Sequence, residues 1–184
     1  MKKVIWTYGL IAGGIVGGML LISLVFYNNG MLTFDNGEVV GYTTMVIALS
    51  MIFFGIKAYR DNYENGVISF GKGFKVGILI TLIASVMYVL AWEIGYQTIA
   101  SDFIERYSEH VITKMKAEGA TEAELQKARE ANAAFGEVYS NPLVRFGFTF
   151  LEISWVGLAI TLVCAAILRK KEFFPAQETV TPEG

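Results

Sequence analysis

The sequence is poor in residues on which many sites and folds depend. It has one cysteine (Cys164), one histidine (His110) and three prolines among 184 residues. A single cysteine cannot form a disulfide within the chain. One histidine without a second spaced ligand is no metal signature, and no nucleophile lies beside a candidate base. We therefore predict no metal site, no cofactor and no enzymatic activity.

Charge is also scarce. Lys, Arg, Asp and Glu together make up 17% of the residues, and the net charge is -2. Proteins that bind nucleic acid normally present a basic face, so we predict no nucleic-acid partner. Apolar residues are abundant instead, at 54% of the chain. This share exceeds that of an ordinary soluble domain, roughly 45–50%, and indicates a membrane protein.

Four segments are long enough to cross a bilayer, whose core about 30 Å thick needs roughly 20 apolar residues in a helix. They predict an all-α integral membrane four-helix bundle in residues 1–171, followed by a disordered cytoplasmic tail, 172–184. The first segment is too long for the apolar region of a signal peptide, roughly 7–15 residues, so we interpret it as a retained helix. The predicted helices are 4–27, 39–59, 74–97 and 143–168.

The distribution of basic residues predicts the orientation. Lys2 and Lys3 precede the first helix, whereas the first loop, 28–38, has no Lys or Arg. Cytoplasmic loops carry an excess of Lys and Arg, which places both termini on the cytoplasmic side. The third loop argues mildly against this, because it also holds basic residues, although acidic ones outnumber them. The second loop and the tail support it through Lys57, Arg60, Lys72, Lys75, Arg169, Lys170 and Lys171.

The third loop, 98–141, has the pattern of two amphipathic helices. Asp102 with Glu105, and Thr121 with Glu124, have the spacing of capping boxes, which begin helices. The segment ends at Asn141-Pro142, where a capping residue and an N1 proline begin the fourth helix. We predict an extracytoplasmic amphipathic helical hairpin between helices 3 and 4, with a surface for an unknown protein partner. Its apolar stripe is Phe103, Tyr107, Val111 and Met115.

The first helix carries a face of small residues. Small residues four positions apart let helix backbones approach closely inside a bilayer. Two interpretations stay open: packing against other helices of the same chain, which we favour, and a homo-oligomer through the first helix. The face consists of Gly9, Gly13 and Gly17, with Gly14 and Gly18 beside it.

Glu152 is the residue whose burial most needs an account. It lies nine positions past Leu143, which is about 13 Å along a helix. An ionised carboxylate at that depth costs several kcal/mol unless it is paired, protonated or reached by water. One interpretation is a proton- or cation-handling site inside the bundle. The other, which we favour, is a protonated Glu152 hydrogen-bonded across helices, for example to Thr43, Thr44 or Ser50.

Glu93, Arg145 and Arg106 are all predicted near the outer side of the membrane. Glu93 lies near the outer end of the third helix, beside residues typical of an aromatic belt. A carboxylate reaching the interface is the favoured interpretation, and a pair with Arg145 or Arg106 is the alternative. If Glu93 and Glu152 both face inward, they form an acidic pair. Glu152, Glu93 and Arg145 are therefore the candidate intramembrane polar site.

The second loop contains the most distinctive stretches, Tyr59-Arg60-Asp61 and Ser69-Phe70-Gly71-Lys72-Gly73-Phe74-Lys75. Lys72 and Lys75 with their neighbouring aromatic residues suit contact with anionic headgroups of the inner leaflet. From Lys3 to about Lys171 the chain resembles an uncharacterised family of small membrane proteins of Bacteroidetes-type bacteria, domain of unknown function 4199. The resemblance implies a four-helix protein of the bacterial cytoplasmic membrane, with the third loop in the periplasm. It brings no activity and no site residue.

These observations leave three classes of function, of which a membrane enzyme is the least favoured because no catalytic residues are visible. We predict an accessory, assembly or interaction protein, because no catalytic set is visible and the hairpin offers a surface. The alternative is a small transporter or channel component that handles protons or cations through Glu152 and Glu93. Four helices enclose little polar volume, so the alternative needs an oligomer.

Overall fold

The structure, a computed structural model, describes residues 1–169, and these residues form seven helices and no strand. The predicted tail, 172–184, lies outside the described residues. The helices are α1 (Lys2–Asn28), α2 (Phe34–Leu49), α3 (Met51–Tyr63), α4 (Phe70–Thr98), α5 (Phe103–Ala117), α6 (Glu122–Tyr139) and α7 (Pro142–Leu168).

Four segments of the described chain are long and apolar enough to cross a membrane: α1, α2 with α3, α4 and α7. The predicted all-α membrane bundle is therefore confirmed. Its outer surface is apolar as well, since the side chains of Trp6, Ile47 and Trp155 are 58%, 61% and 69% exposed. Such a surface is unfavourable in water, but acyl chains of lipids cover it at no comparable cost.

The second predicted helix, 39–59, differs most from its prediction. It is observed as α2 and α3, which together span Phe34–Tyr63 and are interrupted at Ser50. The helix begins earlier than its apolar run because Thr33 and Asn36 form a capping box. The interruption coincides with a hydrogen bond of 2.6 Å that Ser50 Oγ donates to the carbonyl of Ile47. Bonds of this kind bend helices.

α4 lies at the centre of the bundle, packed against α1 on one side and α7 on the other. Three of the five predicted glycines of α1 pack against α4. Gly14 and Gly18 have no neighbouring atom within 4 Å of an added Cβ and stay on the outer surface. A Cβ added at Gly9, Gly13 or Gly17 would meet, in that order, Ile83, Met87 and Ala91.

Toward α7, α4 packs through small and hydroxyl-bearing residues. A Cβ at Gly77 would lie 2.7 Å from Thr161 Cγ2, so only glycine fits there without a shift. The hydroxyls of Thr81 and Thr161 lie 3.3 Å apart, and Ser154 donates to Ser85 over 3.3 Å. Since lipid gives apolar helices no hydrophobic drive to associate, close packing and interhelical hydrogen bonds hold this interface.

α5 and α6 occupy the predicted loop 98–141 and pack on each other. Asn132 Nδ2 donates a hydrogen bond of 3.1 Å to Ser108 Oγ, and the Gly136 backbone lies against the side chain of Ile104. We call Phe103–Tyr139 the α5–α6 pair. Its position outside the cytoplasm stays a prediction.

The three predicted helix starts around this pair have different outcomes. The capping box of Thr121 and Glu124 is confirmed, and so is the cap of α7, where Asn141 accepts from the backbone N–H of Leu143. The box predicted at Asp102 is wrong. Its carboxylate makes no cap hydrogen bond and instead forms an ion pair of 2.8 Å with an arginine one turn later, Arg106.

The α5–α6 pair covers the end of the bundle opposite Met1 and Leu168. At this end the ring of Phe34, in the first turn of α2, packs on Tyr107 and His110 with centroid distances of 5.6 Å and 5.3 Å. Asp35 Oδ1 lies 3.4 Å from His110 Nε2 and 3.5 Å from Lys114 Nζ. Aromatic packing and an exposed ion pair between Asp35 and Lys114 thus join α5 to α2.

Candidate functional site

A cavity of about 560 Å³ lies under the α5–α6 pair. α1, α2, α4 and α7 supply its walls, and α5 and α6 supply its roof. Aromatic side chains concentrate near the roof, where Tyr107 and Phe135 are 42% and 41% exposed. The aromatic residues near the roof are Phe34, Trp92, Phe103, Tyr107, Phe135 and Tyr139.

Glu152 is part of the wall that α7 contributes. It lies ten positions after Pro142, about 15 Å along the helix. Its side chain is exposed and makes no hydrogen bond or ion pair with any residue in 1–169. Tyr88 and Tyr139 lie close enough to interact electrostatically with it. Glu152 is therefore a carboxylate inside a largely apolar cavity, without a protein partner among the described residues.

The hydrogen bond predicted from Glu152 to a hydroxyl of the second helix is not made. Thr44 Oγ1 donates to the backbone carbonyl of Val40 over 2.8 Å, and Ser50 donates to its own helix as well. Each of these hydroxyls thus donates its hydrogen bond to a backbone carbonyl one turn earlier, as Ser and Thr in helices commonly do. The favoured account of Glu152, as a residue that links two helices, therefore does not apply to this structure.

Glu93 and Arg145 form an ion pair, which is the alternative interpretation of Glu93 given above. Arg145 Nε donates to Glu93 Oε1 over 2.8 Å, and Nη2 donates to Oε2 over 2.7 Å. The guanidinium also lies over the ring of Tyr96, 4.2 Å from its centroid. The other predicted partner, Arg106, binds Asp102 instead. A two-pronged contact of this kind is among the strongest between charged side chains.

The pair does not belong to the cavity. Of the three predicted polar residues, Glu152 lines it, whereas Glu93 and Arg145 are bound to each other outside its lining. The acidic pair of Glu93 with Glu152 is therefore not formed. The candidate intramembrane polar site divides into a structural ion pair and a separate, unpaired carboxylate.

Arg145 nevertheless shapes the cavity. Its Nη1 donates to the backbone carbonyl of Tyr139 over 3.2 Å, which satisfies one of the unpaired carbonyls at the C-terminal end of α6. This bond fixes Tyr139 in the roof, where the residue is 8% exposed. Burial raises the pKa of the Tyr139 hydroxyl above its ordinary value, so the hydroxyl stays neutral.

Several lining residues were not predicted as part of a site. Trp92 is one of the residues beside Glu93 that the sequence predicts in an aromatic belt, but it is 7% exposed and lines the cavity. Its Nε1 is buried and makes no well-formed hydrogen bond, although the Tyr139 hydroxyl lies on the same wall. Glu38, near the start of α2, lines the cavity too. Trp92 and Glu38 share one signal in the sequence: each has a polar side-chain atom and stands beside or within an apolar run.

The predicted inner-leaflet contact lies at the opposite end of the bundle. Lys72 Nζ is bound to Glu64 Oε2 over 2.7 Å, while Lys75 is exposed. The Lys72 ammonium holds the pKa of the Glu64 carboxyl below its usual range. Lys72 therefore closes the loop between α3 and α4, which leaves Lys75 as the more accessible candidate for a lipid headgroup.

The fold and the site define a class: an all-helical membrane protein with four candidate spans and a cavity at one end. The chain belongs to the family described as protein of unknown function DUF4199, which matches residues 7–170. The match includes nearly all of the four spans and the α5–α6 pair. No curated protein and no solved structure matches the chain.

Proposed function

We propose that the protein is an accessory, non-enzymatic protein of the bacterial cytoplasmic membrane, and that it holds a guest molecule in the cavity under the α5–α6 pair. The observation that carries the proposal is the cavity itself, about 560 Å³ with Glu152 unpaired in its wall. Sites for small molecules typically occupy about 300–1,000 Å³ and combine an apolar lining with few polar groups.

The orientation follows from the basic residues. We propose that Met1 and the loop between α3 and α4 face the cytoplasm, and that the α5–α6 pair faces the periplasm. Lys2 and Lys3 at one end, and a first loop without Lys or Arg at the other, support this assignment. A guest then reaches the cavity from the outer leaflet or the periplasm.

A transporter or channel component is the second candidate function. The observation that favours it is the Glu152 carboxylate, which lines the cavity without an ion pair or hydrogen bond to a described residue. The cavity does not continue through the bundle, however, because Ile52, Ile80 and Ile153 fill the core with no exposed surface. Transport therefore requires a second conformation or a homo-oligomer. The oligomer stays a prediction, and Gly14 and Gly18 are the glycines of α1 that remain on the outer surface for contact with a second copy.

A cavity-filling substitution tests the proposed function. Gly41 lines the cavity, and an added Cβ there meets no atom within 4 Å. Gly41→Phe should fill part of the cavity and leave the fold intact. We expect native mass spectrometry of the wild-type protein, released from bacterial membranes, to detect a bound guest. We expect its occupancy to fall at least about tenfold in Gly41→Phe, because a ring in the cavity excludes it.

Gly147→Phe is the matched control. This glycine lies on α7 with equally open space around it but outside the cavity lining. The control should keep the guest, and both variants should keep the wild-type melting temperature. A wild-type protein without a guest, or equal occupancy in all three proteins, would contradict the proposal.

A further inference from the structure

We propose that the guest is an organic cation, an ammonium group attached to an apolar body. The inference rests on the proposed function and specifies its ligand. Its first basis is the charge of the cavity. Glu152 and Glu38 are the charged residues in the lining, and none of the described residues that line it is Lys, Arg or His. Such a cavity attracts a positive group and disfavours an anion.

The positive side chain nearest along α7 does not neutralise Glu152. Arg145 lies two turns before it and is held by both carboxylate oxygens of Glu93. Because the cavity is largely apolar, the attraction between this carboxylate and an ammonium group is stronger there than in bulk water. A guest ammonium supplies the compensating charge.

The aromatic rings are the second basis. A cation over the face of Trp, Tyr or Phe is attracted by the negative charge of the ring face, and aromatic cages recognise quaternary ammonium groups in this way. Trp92, Tyr88 and Tyr139 line the cavity together with Glu152. The same rings offer contact area to the apolar body of the guest.

The Trp92 side chain is more than nine-tenths buried, and its Nε1 lies beside the Tyr139 hydroxyl without a well-aligned hydrogen bond. An acceptor near the ammonium group of a guest would offer this donor a second partner. Two sources share this chemistry: the headgroup of an ethanolamine phospholipid, and a free amphipathic amine.

The cavity is open on the side where such a guest would arrive. Glu38 and Tyr42 on α2 and Glu152 on α7 are its exposed lining residues on these two helices. One opening therefore lies between α2 and α7, at the level of the membrane, and the roof residues Tyr107 and Phe135 are exposed as well. A lipid headgroup or an amphipathic amine held in the bilayer can enter there without crossing the α5–α6 pair.

Trp92 can report binding directly. The chain has three tryptophans, and the other two, Trp6 and Trp155, lie on the outer surface. The variant Trp6→Phe/Trp155→Phe therefore keeps one indole, in the cavity wall. It is placed in nanodiscs of phosphatidylglycerol and titrated with benzyltrimethylammonium, or with its neutral isostere neopentylbenzene. We expect saturable quenching by the cation and much weaker quenching by the isostere.

Substitution of the carboxylate is the deciding comparison. Glu152→Gln should raise the Kd of benzyltrimethylammonium at least about tenfold, equal to about 1.4 kcal/mol, and leave the Kd of the isostere unchanged. Glu38→Gln, a second variant, should act in the same direction. Glu137→Gln removes an exposed charge of α6 outside the lining and should change neither. Equal cation binding by wild type and Glu152→Gln, or equal binding of cation and isostere, would overturn the inference.

A second set of nanodiscs distinguishes the two sources. If the lipid headgroup is the guest, phosphatidylethanolamine in the disc should compete with the soluble cation in the wild type. If a free amine is the guest, the apparent Kd should stay the same.

The two proposals also fail separately. If Gly41→Phe removes the guest but Glu152→Gln has no effect on cation binding, the proposed function stands and the inference of a cationic guest is refuted.

Discussion

Replacing Arg145 with alanine should lower the free energy of unfolding by about 3–5 kcal/mol, the usual cost of removing one partner of a buried ion pair. The Arg145 side chain is 4% exposed and that of Glu93 is 18% exposed. Without the guanidinium, the Glu93 carboxylate stays in place with no compensating charge, and the carbonyl of Tyr139 loses a donor. The measurement is reversible unfolding in mixed micelles, followed by circular dichroism.

The control for this prediction is the exposed pair of Arg106 and Asp102, with side chains 31% and 53% exposed. Asp102→Asn should cost less than about 1 kcal/mol, because water screens such pairs. The double variant Glu93→Ala/Arg145→Ala should cost less than the sum of its single variants, since it leaves no unpaired charge. The account fails here if Arg145→Ala costs no more than Asp102→Asn.

Gly157→Leu should destabilise the protein by about 3 kcal/mol or more, through overpacking of the α4–α7 interface. A Cβ at Gly157 would overlap the side chain of Thr81, a short residue that is fully buried and bonded to the carbonyl of Gly77. Thr81 has no free space into which it can move. The α4 and α7 backbones must therefore separate, which also breaks the contact between Thr81 and Thr161.

Gly147→Leu is the matched control for this substitution. It lies on the same helix with no atom within 4 Å of its added Cβ. Both changes remove a helical glycine and gain about 1 kcal/mol of helix propensity, so their difference reports packing alone. The melting temperatures of the two variants in detergent give the comparison. Similar values would show that α4 and α7 are not in close contact at Gly157.

The spans could be predicted from the sequence because their signal is local. A helix in a bilayer needs a certain length of apolar residues, and each of the four runs supplies it without reference to the others. The caps at Thr121 and Asn141 are local in the same way. The apolar run predicts a start at residue 39, whereas the capping box of Thr33 and Asn36 begins α2 at Phe34.

The site could be predicted only in part, because it depends on how the helices face one another. The predicted position near the outer side of the membrane brings Glu93 close to Arg145 and Arg106. The choice of Arg145 depends on which side of each helix meets its neighbour. The depth of Glu152 in its helix marks the residue as unusual, but depth does not predict which residues surround it. The cavity is absent from any local pattern, since it is the space that six helices leave between them. The sequence around Trp92 is typical of the membrane interface, and only the packing of the helices shows that its side chain is buried.

Thiol accessibility at position 152 tests the central claim most directly, namely that Glu152 lines a water-accessible cavity at the level of the membrane. In a Cys164→Ala background, which removes the only cysteine, Glu152→Cys and Trp155→Cys are compared. Trp155 is 69% exposed on the apolar outer surface of α7. The reagent is a charged, membrane-impermeant methanethiosulfonate applied at the α5–α6 end.

We predict fast modification of the cysteine at position 152 and none at position 155, because the reagent follows water and lipid excludes it. Adding Gly41→Phe should slow the reaction at position 152, since the ring occupies the same space. Equal reaction at the two positions, or no reaction at position 152, would contradict the account.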